Sequence, residues 1–155
     1  MDEAVKVIAT LTERGKTLVT AESCTGGGIG AALTAIPGSS KVYKGGIICY
    51  TNWVKENILE IEGNILDKYG AVSIPVAGAM ALHARLILQA DVGISVTGLA
   101  GPGGDDYGNP VGTVFVGYSD ENNTVVKPCL FSGDRESIRN QTIAEALKLV
   151  LIMQK

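Results

Sequence analysis

A chain of 155 residues that is 46% hydrophobic yet only 5% aromatic can fill one core with Val, Ile, Leu and Ala, and it is expected to form a single domain over 1–155. A formal net charge of −3 with no run of Lys and Arg excludes the basic stripe that tracks a phosphate backbone, so no nucleic-acid partner is expected. No apolar stretch nears the roughly 20 residues that span a bilayer, and no signal peptide opens the chain, so no membrane partner is expected either. Cys24, Cys49 and Cys129 lie far apart without Cys-x-x-Cys spacing, which points to reduced thiols in the cytoplasm and away from a zinc site or disulfide framework.

Asp2 suits the cap of a first helix with Val5, Ile8 and Leu11 on one face. The β-rich run 17–21 predicts a strand, and a helix from about Thr25 ends at Pro37-Gly38-Ser39-Ser40. Ile47-Ile48-Cys49-Tyr50 predicts a second, buried strand, after which Asn52 is placed to cap a short helix through Val54, Ile58 and Leu59. Residues 60–73 are expected as loop, with one helical turn near Ile65-Leu66. Pro75 opens a long helix, 76–89. Val92–Val96 predicts a third strand, followed by a glycine-rich loop from Gly98 to Pro110. Residues 111–119 and 124–131 predict a hairpin, and Asp134 caps a closing helix to about Met153. This order predicts an α/β fold: one three-layer domain, a mixed β-sheet with helices on both faces.

Candidate chemistry gathers on three loops that follow the first three strands, around Ser23, around Asn52 and over Gly98–Gly104. In open α/β sheets ligands bind beyond the carboxyl ends of the strands, so these loops are expected to share one crevice. Ser23 sits where Ala21-Glu22-Ser23-Cys24-Thr25-Gly26-Gly27-Gly28 turns from strand to helix. Its hydroxyl is expected at the sheet edge, with free helix N–H groups facing an oxyanion or phosphate. A serine nucleophile needs a base. Lys55, desolvated in a pocket, can serve once its pKa falls, with the Tyr50 hydroxyl between them to pass the proton or hold the geometry. The alternatives are an N-cap role for Ser23, a solvated Lys55, and Cys24 as the nucleophile or as a buried, inert thiol. His83, the single histidine, falls mid-helix in line with Val76, Met80 and Ile87. That suits a packed or interface histidine rather than a catalytic base. Arg135 and Arg139, one turn apart at the start of the last helix, make a candidate phosphate clamp, the alternative being surface ion pairs. Asp105 and Asp106 are taken as a solvated loop rather than a metal site. Neither Walker A nor Gly-x-Gly-x-x-Gly spacing occurs, so no cofactor is expected.

The stretches Ala21–Gly27, Pro37-Gly38-Ser39-Ser40, Tyr50-Thr51-Asn52-x-x-Lys55, Gly70-Ala71-Val72-Ser73, Thr97–Gly104, Pro110–Val114 and Gly133-Asp134-Arg135 together resemble the CinA C-terminal domain family, in order and over nearly the whole chain. The resemblance implies an amidase that hydrolyses nicotinamide mononucleotide to nicotinate mononucleotide and ammonia. It implies Ser23 as nucleophile, with Tyr50 and Lys55 as its catalytic partners. The small-molecule nucleotide is expected to touch Thr25, Gly26, Asn52, Thr97, Gly98, Gly101, Arg135 and Arg139, with backbone N–H groups near Thr25 and Gly26 holding the oxyanion. A homo-oligomer is expected, with the Leu82 and His83 face as the candidate contact. A second reading, a catalytically silent nucleotide- or partner-binding module using the same crevice, rests on Trp53-Val54 and the acidic loop 105–109.

Overall fold

The structure, a computed structural model, describes residues 2–155. Its elements are α1 (Asp2–Arg14), β1 (Leu18–Glu22), α2 (Gly28–Thr34), β2 (Tyr43–Ile48), α3 (Asn52–Asn57), α4 (Gly63–Tyr69), α5 (Ile74–Ile87), β3 (Val92–Gly98), β4 (Thr113–Ser119), β5 (Thr124–Leu130) and α6 (Arg135–Met153). The five strands form one sheet in the order β2-β1-β3-β4-β5. β1 runs parallel to both β2 and β3, and β4 is antiparallel to β3 and β5. The expected mixed sheet with helices on both faces is what forms.

Strand alternation divides the core. Leu18, Val92, Ile94, Val96, Val114, Val116 and Tyr118 pack toward α1, α2 and α6, while Val19 and Ala21 pack with Val76, Met80 and Ala84 of α5. On the α5 side the centre of the sheet is lined by small residues. The Ser95 hydroxyl donates to the Ala77 carbonyl at 2.6 Å, and a Cβ placed on Gly93 or Gly117 would collide with the carbonyl of Ala81 or Ala77. α5 answers with Ala77, Ala81 and Ala84, all fully buried, so the helix backbone lies close against the sheet.

Several local expectations change. Val5 is 49% exposed, so the buried stripe of α1 is Ala4, Val7, Ile8 and Leu11. β2 is an edge strand with alternate residues exposed rather than a buried one. Thr51, not Asn52, caps α3, its side chain accepting from the Val54 N–H at 3.4 Å, which leaves Asn52 free to face the cleft. Residues 63–69 form a full helix where one turn was expected. His83 is held, half-buried, against the turn that follows α3 through Nδ1 and the Leu59 carbonyl, 2.6 Å apart. No helix among the described residues is long and apolar enough to cross a membrane.

The close approach of α5 has a measurable consequence. Gly93→Ala and Gly117→Ala each force backbone apart and are expected to cost about 1–3 kcal/mol, or roughly 2–4 °C in thermal midpoint per kcal/mol. Gly103→Ala, where a Cβ meets nothing within 4 Å, should leave the midpoint unchanged in the same melt.

Candidate active site

The sheet register builds the site. Glu22 stands opposite Ile48 on one side and Val96 on the other, so β1 and β2 end level at one edge while β3 continues two residues to Gly98. The Ser23 N–H donates to the Val96 carbonyl at 3.0 Å, and the Cys49 N–H to the Glu22 carbonyl at 2.9 Å. Those ladder bonds continue one step past β1 and fix Ser23 beside the ends of β2 and β3. A cleft of about 380 Å³ opens there, lined by Ser23, Tyr50, Asn52, Lys55, Thr97, Gly98, Gly101 and Arg135, among others. Eight of the eleven sequence-derived candidates therefore share one cleft.

Within it, Lys55 reaches inward from α3 and is 1% exposed. Its Nζ lies 2.9 Å from Ser23 Oγ, 2.7 Å from the Cys49 carbonyl and 3.4 Å from the Tyr50 carbonyl. Among the described residues no carboxylate pairs with it. Burial pushes its pKa below the ordinary lysine value, because an uncompensated ammonium is poorly solvated there. As an ammonium, Lys55 donates its three N–H bonds to the Ser23 hydroxyl and the two carbonyls; as a neutral amine it would keep the carbonyls and turn its lone pair to the hydroxyl. The neighbouring thiol of Cys24 is pushed up to about 11 by the same desolvation, as is that of Cys49. Cys24, which also lines the cleft, therefore carries little thiolate near neutral pH.

Other candidates take different positions from those expected. Tyr50 lines the cleft, 58% exposed, but its hydroxyl accepts from Arg135 Nη2 at 3.2 Å instead of bridging Ser23 and Lys55. Arg135 Nη1 also donates to the Gly101 carbonyl at 2.7 Å, so this guanidinium ties two lips of the cleft together. Thr97 lines the cleft, while its hydroxyl donates to the Ala71 carbonyl at 2.8 Å. Arg139 does not join Arg135. It turns toward β1 and donates to the carbonyls of Cys24 and Thr25.

The amino end of α2 is closed, contrary to expectation. The carboxylate of Glu22, 2% exposed, accepts from the Thr25 hydroxyl at 2.7 Å, the Ile29 N–H at 2.8 Å and the Gly30 N–H at 3.0 Å. The Gly26 N–H donates to the Ser23 carbonyl at 3.1 Å. Thr25 and Gly26 therefore build the turn and are not among the cleft-lining residues. Glu22 was absent from the candidates. Its signal is a carboxylate ending a strand within helix-capping reach of the next helix, but only the turn geometry reveals which N–H groups it serves. Val72, Leu99 and Ala100, also unforeseen, give the cleft an apolar part. The 98–110 loop is anchored from outside by Tyr107, whose hydroxyl donates to the Asp67 carbonyl at 2.7 Å, and by Asn109, which donates to Val72 and Asp105. Asp105, half-buried in an otherwise largely exposed loop, accepts from Tyr107 and Asn109 and braces the loop from within.

The buried amine makes stability depend on pH. The unfolded lysine holds its proton up to about 10.5 while the folded one loses it earlier, so the unfolded state binds more protons and stability rises with pH across that window. Above about 9.0 the thiols oppose this, since unfolded Cys24 and Cys49 ionise there and the folded ones remain protonated to about 11. The difference between wild type and Lys55→Met isolates the lysine, since both carry the thiols. In urea unfolding from pH 7 to 10, wild-type stability is expected to gain on that of Lys55→Met as pH rises toward about 10.5; a constant difference would mean that Lys55 is charged in the folded protein throughout.

The fold and the sequence are both shared with known proteins. The CinA C-terminal domain family matches residues 2–153. A CinA-like protein of Synechocystis is 47% identical over 142 residues, 90% of this chain and 34% of its own length. One of Prochlorococcus marinus is 42% identical over 152 residues, 94% of this chain and 36% of its own length. The chain thus spans about a third of the length of these curated relatives. Among solved structures, the competence/damage inducible protein CihA from Agrobacterium tumefaciens superposes with a TM-score of 0.96 at 36% identity, over 99% of this chain and 94% of that one. A CinA superfamily protein from Escherichia coli gives 0.94 at 34%, over 96% and 87%. The chain belongs to the CinA C-terminal domain family.

Proposed function

We propose that the chain is a serine amidohydrolase that converts nicotinamide mononucleotide to nicotinate mononucleotide and ammonia. The observation that carries the reaction type is the buried Lys55 amine, 2.9 Å from Ser23 Oγ and without a carboxylate partner. Choice of substrate rests on the family likeness, with an apolar cleft wall for a pyridine ring and Arg135 at the lip for a phosphate in support.

In this reading Lys55 Nζ takes the Ser23 proton as Oγ attacks the carboxamide carbon. The resulting ammonium returns that proton to the leaving nitrogen as the C–N bond breaks, releasing ammonia and leaving an ester on Ser23. Water then attacks the ester carbon, Lys55 accepts its proton, and the proton passes back to Oγ as the acid leaves. Both carbonyls on Nζ hold the amine in place through these transfers, and prior positioning supplies much of the rate. The Tyr50 hydroxyl acts on Arg135 rather than on the proton.

Purified protein is expected to release ammonia from nicotinamide mononucleotide. Ser23→Ala and Lys55→Arg should each abolish release, the latter because a guanidinium does not deprotonate, and Cys24→Ala should keep most activity. Rate should rise with pH through the lowered lysine pKa. Binding of the mononucleotide without any ammonia release would instead establish the silent binding module.

Nicotinamide riboside, which lacks the phosphate, should be the poorer substrate if remote binding energy assists the chemistry. A charge-assisted contact is worth roughly 1.5–3 kcal/mol, about tenfold to a hundredfold. Arg135→Ala should remove that preference by harming the mononucleotide alone, and Tyr50→Phe should follow it in weaker form. Equal losses on both substrates in steady-state kinetics would move the phosphate elsewhere.

A further inference from the structure

Arg139 has a task that its spacing from Arg135 conceals. From the second turn of α6 its Nε donates to the Cys24 carbonyl and its Nη2 to the Thr25 carbonyl, both at 3.0 Å and across more than a hundred residues of chain. These are the two residues that follow Ser23. The turn they form continues through Gly26 and Gly27 with φ of 59° and 104°, in left-handed backbone that glycine enters freely and leaves as freely. Its own hydrogen bonds are short-range, Gly26 N–H to Ser23 and Gly28 N–H to Thr25. Glu22 holds one side of it through the Thr25 hydroxyl. Arg139 holds the carbonyls from the other side.

We infer that Arg139 is a positioning residue for the nucleophile: its paired bonds to Cys24 and Thr25 keep the glycine turn rigid, so that Ser23 Oγ stays in line with the Lys55 amine. The inference rests on the amidohydrolase reading for its rate measurements. α6 itself is held by Ile138, Thr142, Ala146, Leu147 and Val150, all buried, so the helix does not need Arg139 to stay docked. Both bonds run to neutral carbonyls. The side chain gives the turn direction without neutralising a carboxylate, and a planar guanidinium with fixed donors suits that better than a flexible ammonium. Unlike Arg135, it is not among the residues lining the cleft.

Displacement of a reacting group by about 1 Å can cost on the order of a hundredfold in rate. Arg139→Ala is therefore expected to lower kcat by about tenfold to a hundredfold with KM within about twofold, by the same factor on nicotinamide mononucleotide and nicotinamide riboside. Added guanidinium ion should restore part of kcat, and Arg139→Lys should fall between. A loss confined to the mononucleotide and carried in KM would make Arg139 a phosphate ligand and overturn the inference, as would an unchanged kcat. If Arg139→Ala proves insoluble, Arg139→Lys and Arg139→Gln carry the same comparison. A fluorophosphonate probe, which phosphonylates an activated serine with loss of fluoride, separates this result from failure of the substrate assignment. Were the wild-type protein inactive on both amides, slower labelling of Ser23 in Arg139→Ala would still support the inference, and equal labelling rates would sink it.

Discussion

Burying a lysine side chain without a counter-charge is a demanding arrangement, and the rest of the site is built around it. An ammonium taken out of water without a carboxylate loses several kcal/mol of solvation even after the protein relaxes. Burial without a counter-charge holds the Lys55 pKa below the ordinary lysine value, while two backbone carbonyls and one hydroxyl take its N–H bonds. Had a carboxylate stood in place of the Cys49 carbonyl, the same lysine would be a stable ion pair. That acceptor is a main-chain group at the end of β2, so its position is set by the sheet and not by a side-chain rotamer. The environment that lowers the lysine pKa thus follows from strand pairing.

The pairing depends in turn on residues that touch no ligand. Ser95, Gly93 and Gly117 let α5 lie close to β3 and β4, and β3 supplies Val96, whose carbonyl fixes the Ser23 N–H. On the opposite face Glu22 closes the amino end of α2 with three hydrogen bonds. A carboxylate at a helix amino terminus complements the helix dipole, and here it occupies N–H groups that an anion would otherwise use. The turn after β1 is therefore held from both sides, by Glu22 and by Arg139.

Much of this was legible in the residues. The strand-to-helix turn put Ser23 at a sheet edge, and Asn52 and Lys55 followed the second strand by the same pattern, so the shared crevice was a consequence of topology. What the chain order could not express is which of several equivalent donors meets which acceptor. Thr51 and Asn52 are both good caps, and the backbone geometry chose Thr51. The Tyr50 main chain contacts Lys55 while its side chain contacts Arg135, a division invisible in a motif that treats the residue as one unit. Arg135 and Arg139 look alike by spacing, yet a single turn of helix separates the cleft from the back of the nucleophile turn.

That separation bears on how charge is distributed. The cleft holds one cation in its lip, Arg135, and a depressed amine in its interior. If Arg139 also faced the cleft, two permanent positive charges would lie near the amine, and like charges would depress its pKa further and weaken it as a base. Turned onto neutral carbonyls, Arg139 still lowers the cost of negative charge near Cys24, whose thiol it favours ionising, without standing beside Lys55. The guanidinium of Arg135 therefore stands at the lip of the cleft, tied to Gly101 and Tyr50, while the Lys55 amine is buried beside Ser23 in the same cleft.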